Sequence, residues 1–370
     1  MSRRRSGVES PPWLPGTAAP AGLVVTVPAG VRTVLRNGRA ADTVGLLVGY
    51  GLDAVFGDPR RFHPVAGFGT AAGVLERRLY APERRAGALF TAVAVGAPVL
   101  VGVAAAVLTR RQPAARAALV AAATWTVLGG RTLRHESAVM AGHLEAADLD
   151  AARGRLSHLC GRDPSALDEQ ELARATVESV AENTSDAVVA PLLWGGLAGL
   201  PGLLGYRAAN TLDAMVGHRS ARYARFGTAS ARLDDVLNLV PSRVTGLLTI
   251  GAAPVVGGSR REAMRVWRRD RNDHPSPNAG QCESAMAGAL GVRLGGRNVY
   301  FGRSETRPFL GDGPKPGAGQ LRGAARISGV VGVAAAVIGA GVALARGAAL
   351  RSFGARRNGS RTWWGRGRAR

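Results

Sequence analysis

Residues 178–241 read ESVAENTSDAVVAPLLWGGLAGLPGLLGYRAANTLDAMVGHRSARYARFGTASARLDDVLNLVP. Acids, amides and arginines enclose an uncharged run of about 20 residues at 187–206, the length a bilayer span requires. Ionisable groups beside such a span are costly unless they pair or work. The pattern therefore places polar chemistry at a membrane surface.

Working outward, residues 86–108 and 327–345 are also free of charge and long enough to cross a bilayer. Shorter runs occupy 117–130, 244–258 and 43–56, the last interrupted by Asp53. Roughly three to six membrane helices are expected from the spanning-length rule. Polar segments between them keep helical spacing: 133–159, then 165–181 with Asp168, Glu169 and Glu171 near its start. No window sustains period-two alternation, so no sheet is expected. The class is all-α, a multi-span integral membrane protein with re-entrant or buried helices and cytoplasmic-face loops. Residues 1–40, with five prolines from Pro11 to Pro28, are expected to be a disordered basic extension. Residues 41–346 are expected to form the membrane-embedded domain. The Arg-rich 347–370 is expected to be a disordered tail, with Trp363 and Trp364 available to a membrane surface.

The formal charge is +22. Its carriers are nearly all arginine, with Lys315 the only lysine, and they gather beside apolar runs: Arg77, Arg78, Arg84 and Arg85 before one, Arg351 to Arg370 after another. That is the positive-inside pattern, with anionic lipid headgroups as partners. Basic residues do not alternate with aromatics as a base-stacking surface requires, so nucleic acid is not an expected partner. Cys160 and Cys282 stand far apart without metal-ligand spacing and read as reduced thiols.

Five clusters could carry chemistry. In GDPRRFHPV (57–65) two prolines hold Asp58 and His63 in a loop, though a helix stop with a basic flank is the plainer reading. Glu178, Glu182 and Asp186 recur at i, i+4, i+8, which lines three carboxylates along one helix face. Such a row repels itself and calls for a cation; hard oxygen donors suit Mg²⁺, and Asn183 stands beside them. The competing reading is a solvated helix face. In YRAANTLDAMVG (206–217), Arg207, Asn210 and Asp213 share a broad face that could clamp a phosphate, or could be a structural Arg–Asp pair. In ARLDD (231–235), Arg232, Asp234 and Asp235 precede Asn238 and Arg243; adjacent aspartates diverge on a helix, so one of them is expected to face a site. In HPSPNAGQCE (274–283), Ser276 and Asn278 precede a helix that Asn278 and Gln281 would open as a capping box, with an anion site at its N-terminus and Glu283 on the same helix. Gly291 is a natural end to that helix. Motifs for a Walker-type nucleotide loop, an H-E-x-x-H zinc site and a G-x-S-x-G nucleophile elbow are all missing from the sequence.

Taken together and in order, GDPRRFHPV, ESVAENTSDAVVAPLLW, YRAANTLDAMVGH, RYARFGTASARLDDVLNLVPSR and HPSPNAG…ESAMAGALGVRLGG resemble the CobD/CbiB family of cobalamin biosynthesis over roughly residues 43–345. The resemblance implies an integral membrane adenosylcobinamide-phosphate synthase. Such an enzyme joins the free carboxylate of adenosylcobyric acid to the amine of (R)-1-aminopropan-2-yl phosphate, or an ethanolamine-type analogue, using ATP and Mg²⁺. The implied partners are the corrinoid, the amino-alcohol phosphate, membrane lipid and other corrinoid-assembly enzymes. The implied location is the cell membrane, with the active site facing the cytoplasm. Within the motifs, His218, Ser185 and Gln281-Cys282 depart from the family's usual residues, which bears on the choice of amino-alcohol phosphate.

On this reading Glu178, Glu182 and Asp186 hold Mg²⁺, while Arg207 and Arg232 neutralise phosphate charge. Asn210, Asp235, Arg243, Ser276, Asn278 and Asn183 assist in binding substrate. Asp58, His63, Asp213, Asp234 and Glu283 are the candidates for catalytic acid and base. One conflict follows. If every apolar run spanned, these motifs would fall on opposite faces of the membrane. At least one of 187–206 and 244–258 must therefore dip or lie buried in protein. A transporter or scaffold for an anionic corrinoid is the rival from another class, since broken helices with buried charge are a transporter signature too.

Overall fold

The structure is a computed structural model that describes residues 40–59, 63–218, 220–300 and 303–363, so the extension expected over 1–39 lies outside it. Helices α1 (Ala41–Phe56), α2 (Pro64–Leu79), α3 (Arg84–Leu108), α4 (Pro113–Val127), α5 (Gly130–Glu145), α6 (Leu149–Leu156) and α7 (Glu169–Thr184) come first. A π-helical turn, Ser185–Val189, leads into α8 (Ala190–Ala198) and α9 (Leu200–Leu212), and a second, Asp213–Gly217, closes α9. Then follow the short α10 (Tyr223–Phe226), α11 (Thr228–Ala252), α12 (Arg260–Asp270) and α13 (Ala279–Leu290). An antiparallel hairpin of β1 (Leu294–Tyr300) and β2 (Arg303–Leu310) precedes the long α14 (Ala318–Trp363).

Among the described residues three stretches are long and apolar enough to cross a membrane: Arg84–Leu108, Thr228–Val256 and Ala318–Ala349. The first and third contain the runs expected to span. The second shows that the short run at 244–258 is the far end of a longer helix, whose near end carries Asp234 and Asp235. At 16 residues, α1 would rise only ~24 Å, short of a ~30 Å hydrocarbon core.

The segment 187–206 turns back on itself. Gly199 sits at φ 67°, ψ −143°, a region essentially reserved for glycine. There the chain reverses between α8 and α9, neither of which is long enough to span. The limbs pack closely because Gly202 lies against the Trp194 carbonyl oxygen, where a Cβ would stand 2.1 Å away. Gly196 likewise admits the backbone of α14 at Gly339. The hairpin is thus sheathed by protein, as buried irregular backbone must be.

Three expectations are corrected. The β-hairpin escapes period-two reading because its register shifts where Pro308 and Phe309 of one strand stand opposite Gly295 (φ 84°) of the other, followed by Gly296 (φ 99°). The helical stretch at 133–159 is two helices, broken where Ala147 takes φ 54°. The tail expected to be disordered from 347 continues α14 to Trp363, since 318–363 contains no proline and is rich in the strong helix formers alanine and arginine. Elsewhere the local signals hold. Asp168 and Glu171 form a capping box on α7, and Gly291 (φ 65°) ends α13.

Candidate functional site

The fold-back brings both ends of 187–206 to one place. The Tyr206 hydroxyl lies 3.2 Å from the Asp186 carbonyl oxygen and 2.9 Å from Asn238 Oδ1. Asn238 Nδ2 donates to Asp234 Oδ2 at 3.0 Å, and Asn210 Nδ2 to Asp234 Oδ1 at 3.2 Å. Arg207 Nη1 in turn faces Asn210 Oδ1 at 3.4 Å. Residues from α9, α11 and the first π-helical turn are therefore tied into one polar network. Each turn carries an acid in its first two residues, Asp186 or Asp213, and π-helical insertions re-aim side chains in this way at many functional sites.

A cavity of about 190 Å³ opens beside this network. Five carboxylates line it: Glu182, Asp186, Asp213, Asp234 and Asp235. Ser276, Asn278 and Asn238 complete much of the wall, and among the described residues no arginine or lysine lines it. Burial, reinforced by Asp234 and Asp235, raises the Asp213 carboxyl to about 7. Burial and then Asp234 also push Asp186 well above the carboxylate range. Uncompensated acids packed this tightly must bind protons or cations.

Beneath the cavity lies a second cluster. Glu182, His274 and Glu283 bring potential ligand atoms within 4.8 Å of one another. Here, however, the protein supplies its own cations. Arg307, from β2, places Nη1 2.8 Å from His274 Nε2. Burial, and then Arg307, lower the His274 pKa. Burial followed by Glu182 and Glu178 raises Glu283 well above the carboxylate range. The carboxylate cavity and this cation-supplied cluster meet at Glu182.

Several sequence-predicted roles are corrected. Glu178 does not continue the acidic row into the cavity. It is buried against Arg162 and Arg174, with Arg174 Nη1 at 3.2 Å, and accepts the Gly295 amide at 2.7 Å. Burial would raise its pKa, but the two arginines hold it below the usual range. Glu178 thus anchors β1 to α7, helped by Arg174 bonds to Asn298 Oδ1 (2.8 Å) and the Arg297 carbonyl (2.9 Å). The adjacent Asp234 and Asp235 both line the cavity, because it wraps around α11 instead of meeting a single face.

Arg232 and Arg243 are exposed on the far side of α11, beside Val236 and Val240. Arg243 donates to the Leu239 carbonyl at 2.7 Å. Asn183 is turned back onto Ser179. His63 caps α2, its Nδ1 accepting the Val65 amide at 3.2 Å. The expected Asn278–Gln281 capping box is also absent. Asn278 instead bridges to α11, receiving the Ser242 hydroxyl (3.1 Å) and donating to the Asp235 carbonyl (2.9 Å). Ser276 Oγ takes over the cap, accepting the amides of Asn278 and Ala279. This occupies the expected anion site at the N-terminus of α13, while the serine O–H remains able to donate into the cavity.

Asp58 lies off the cavity but close enough to favour the charge of Arg207. Asp58 Oδ1 and Arg207 Nε are both buried without hydrogen-bond partners, polar atoms of the kind a bound ligand would satisfy. Sequence reasoning gave no role to Tyr206, His274, Arg162, Arg174 or Arg307. Only the Arg174–Glu178 pair, at i, i+4, carried a readable signal.

The family of the CobD/Cbib protein matches residues 46–328. A cobalamin biosynthesis protein CobD from Mycobacterium tuberculosis is 52% identical over 280 residues, covering 75% of this chain and 88% of the relative. One from Geobacter metallireducens is 48% identical over 272 residues, 72% of this chain and 85% of the relative. Another, from Clostridium perfringens, is 34% identical over 279 residues, 74% of this chain and 88% of the relative. No solved structure matches.

Proposed function

Since this chain belongs to the CobD/CbiB family and has a role in cobalamin biosynthesis, we propose that the carboxylate cavity is the active site of an adenosylcobinamide-phosphate synthase. The reaction would join the free carboxylate of adenosylcobyric acid to the amine of (R)-1-aminopropan-2-yl phosphate at the expense of ATP. The observation that carries this reading is five carboxylates facing a space with no cationic side chain in its described lining. Hard oxygen donors in that number suit Mg²⁺ bound to phosphate. Magnesium and ATP would supply phosphoryl transfer to the corrinoid carboxylate, giving the amine a leaving group to displace.

The chain's own residues then divide the work. Glu182 and Asp186, joined by Asp234 and Asp235, would hold the cation. Arg207, ordered by Asn210, stands behind the cavity wall and would stabilise phosphate charge across it. Asp213, whose carboxyl is raised to about 7 in the metal-free cavity, is placed to take the proton from the incoming ammonium. A cavity of about 190 Å³ can enclose ions and a phosphoryl group but not a corrin ring. The macrocycle must therefore lie at the mouth, with only its reacting arm inside. ATP and both substrates are cytoplasmic solutes, so this reading faces the cavity to the cytoplasm.

Purified protein in detergent, supplied with cobyric acid, aminopropanol phosphate and Mg-ATP, should yield the amide by mass spectrometry. The break at Gly199 also suits a transporter of an anionic corrinoid. That reading predicts substrate binding without ATP turnover, and amide product would exclude it.

A further inference from the structure

A second cavity, of about 410 Å³, lies away from the acids between α2, α3 and α9. Its walls are almost wholly apolar: Phe68, Ala72 and Leu75 from α2, Val93 and Ala97 from α3, and Leu204 from α9. Most of α3 is not covered by protein; Leu89, Leu100 and Val101 are more than half exposed. From Val93 to Val101 the α3 wall rises roughly 12 Å at 1.5 Å per residue. One leaflet of a ~30 Å hydrocarbon core is ~15 Å deep. Val93 itself lies about 14 Å along α3 from Arg84 at that rise, so the groove receives the terminal part of an acyl chain, close to the bilayer midplane.

An acyl chain alone would gain little here, because lipid surrounds the groove anyway. Selectivity has to come from the headgroup. The last turn of α2 carries Arg77 and Arg78 and the first turn of α3 Arg84 and Arg85, all exposed, against one exposed acid between them, Glu83. Leu75, on the groove wall, stands only two residues before Arg77. We propose that this groove and its arginine rim form a seat for one anionic phospholipid, with a chain between α2 and α3 and the phosphate against the rim. Long arginine side chains reach an interface while their stems stay on apolar surface.

The seat adjoins the site. Gly69 and Gly73 on α2 face Met215, which lies in the π-helical turn that begins with Asp213. A lipid that steadies α2 would therefore steady that turn. This inference does not depend on the synthase reading.

Native mass spectrometry of the full-length protein, exchanged into detergent with equal dioleoyl phosphatidylglycerol and dioleoyl phosphatidylcholine, tests it. One phosphatidylglycerol should be retained in preference to phosphatidylcholine. Ala97→Trp, which fills an exposed part of the groove, should abolish that preference. Changing Arg77, Arg78, Arg84 and Arg85 to glutamine should lower it roughly five-fold per arginine. Equal retention of the two lipids would overturn the proposal. So would a preference that survives Ala97→Trp, since it would then reflect surface arginines alone. Should the tryptophan variant not fold, the quadruple glutamine variant decides alone: an unchanged preference overturns the seat.

Discussion

The Tyr206 hydroxyl stands 3.2 Å from the backbone carbonyl oxygen of Asp186, although 20 residues separate them in the chain. This one contact shows that the uncharged segment between them leaves the polar layer and returns to it. It also shows why the acids before 187 and those after 206 can serve one cavity. The same hydroxyl reaches Asn238 Oδ1 at 2.9 Å, so the returning helix is tied to α11 as well.

Tyr206→Phe should therefore do more than remove a phenol. Tyr206 is 2% exposed, so the acceptors it leaves cannot be rehydrated easily. A loss of about 1–3 kcal/mol is expected for stranding buried hydrogen-bond partners, read as a lower unfolding midpoint in detergent. Asn238 also orients Asp234, so amide synthesis should fall by more than the change in folded fraction explains.

Gly199→Ala tests the reversal itself. Its backbone conformation is one that side chains rarely adopt, and an added Cβ would stand 3.2 Å from Asp42 Oδ2. Asp42 is already held by Arg116 and Arg346. Strain of about 1–3 kcal/mol is expected. Protease accessibility at the apex should rise while the Tyr206 end stays protected. Unchanged stability would mean that the hairpin is not fixed at this residue.

How much of this was legible depended on the range of each signal. The apolar runs at 86–108 and 327–345, the acidic start of α7 and the Gly291 stop are local, and they are where the sequence put them. The fold-back was legible only through a contradiction, because two halves of one site could not face opposite sides of a membrane. Five acids of the cavity were named from local patterns, yet Glu178 was misread. Its partner Arg162 comes from a preceding loop and its third contact, the Gly295 amide, from a hairpin that two glycines had disguised. Arg232 and Arg243 failed differently. Both lie on the cavity-bearing helix, but on its outer face, and that choice rests on how α11 packs.

Asp213 gives a pH signature with a definite sign. Its folded pKa of about 7 lies above the ordinary carboxyl value near 4, so the folded protein holds a proton that the unfolded chain releases. The stability this lends is complete below about pH 4 and is lost as pH rises towards 7. Without Mg²⁺, the unfolding midpoint should decline across that window, and Asp213→Asn should flatten the decline. As base, Asp213 must be deprotonated, so synthase activity should show an acid limb, displaced below pH 7 once Mg²⁺ offsets the charge of Asp234 and Asp235. The asparagine variant should lose most of that activity and the acid limb with it. A wild-type limb retained in the variant would remove Asp213 from the role.

Glu178 and Glu182 are one helical turn apart, and their replacement by glutamine should separate structure from chemistry. Glu178→Gln leaves Arg162 and Arg174 buried beside a neutral amide. Removing one partner of a buried ion pair costs about 3–5 kcal/mol, so this variant should express poorly or melt early. Glu182→Gln takes one negative charge from a cavity wall that holds five carboxylates. Stability without Mg²⁺ should hold or rise, while the concentration of Mg²⁺ needed for half-maximal synthesis increases at least ten-fold. Thermal unfolding and Mg²⁺ titration of the two purified variants supply the comparison. If Glu178→Gln were stable and defective only in Mg²⁺ dependence, the acidic row would have to be restored as three metal ligands, and the arginine pair demoted to its support.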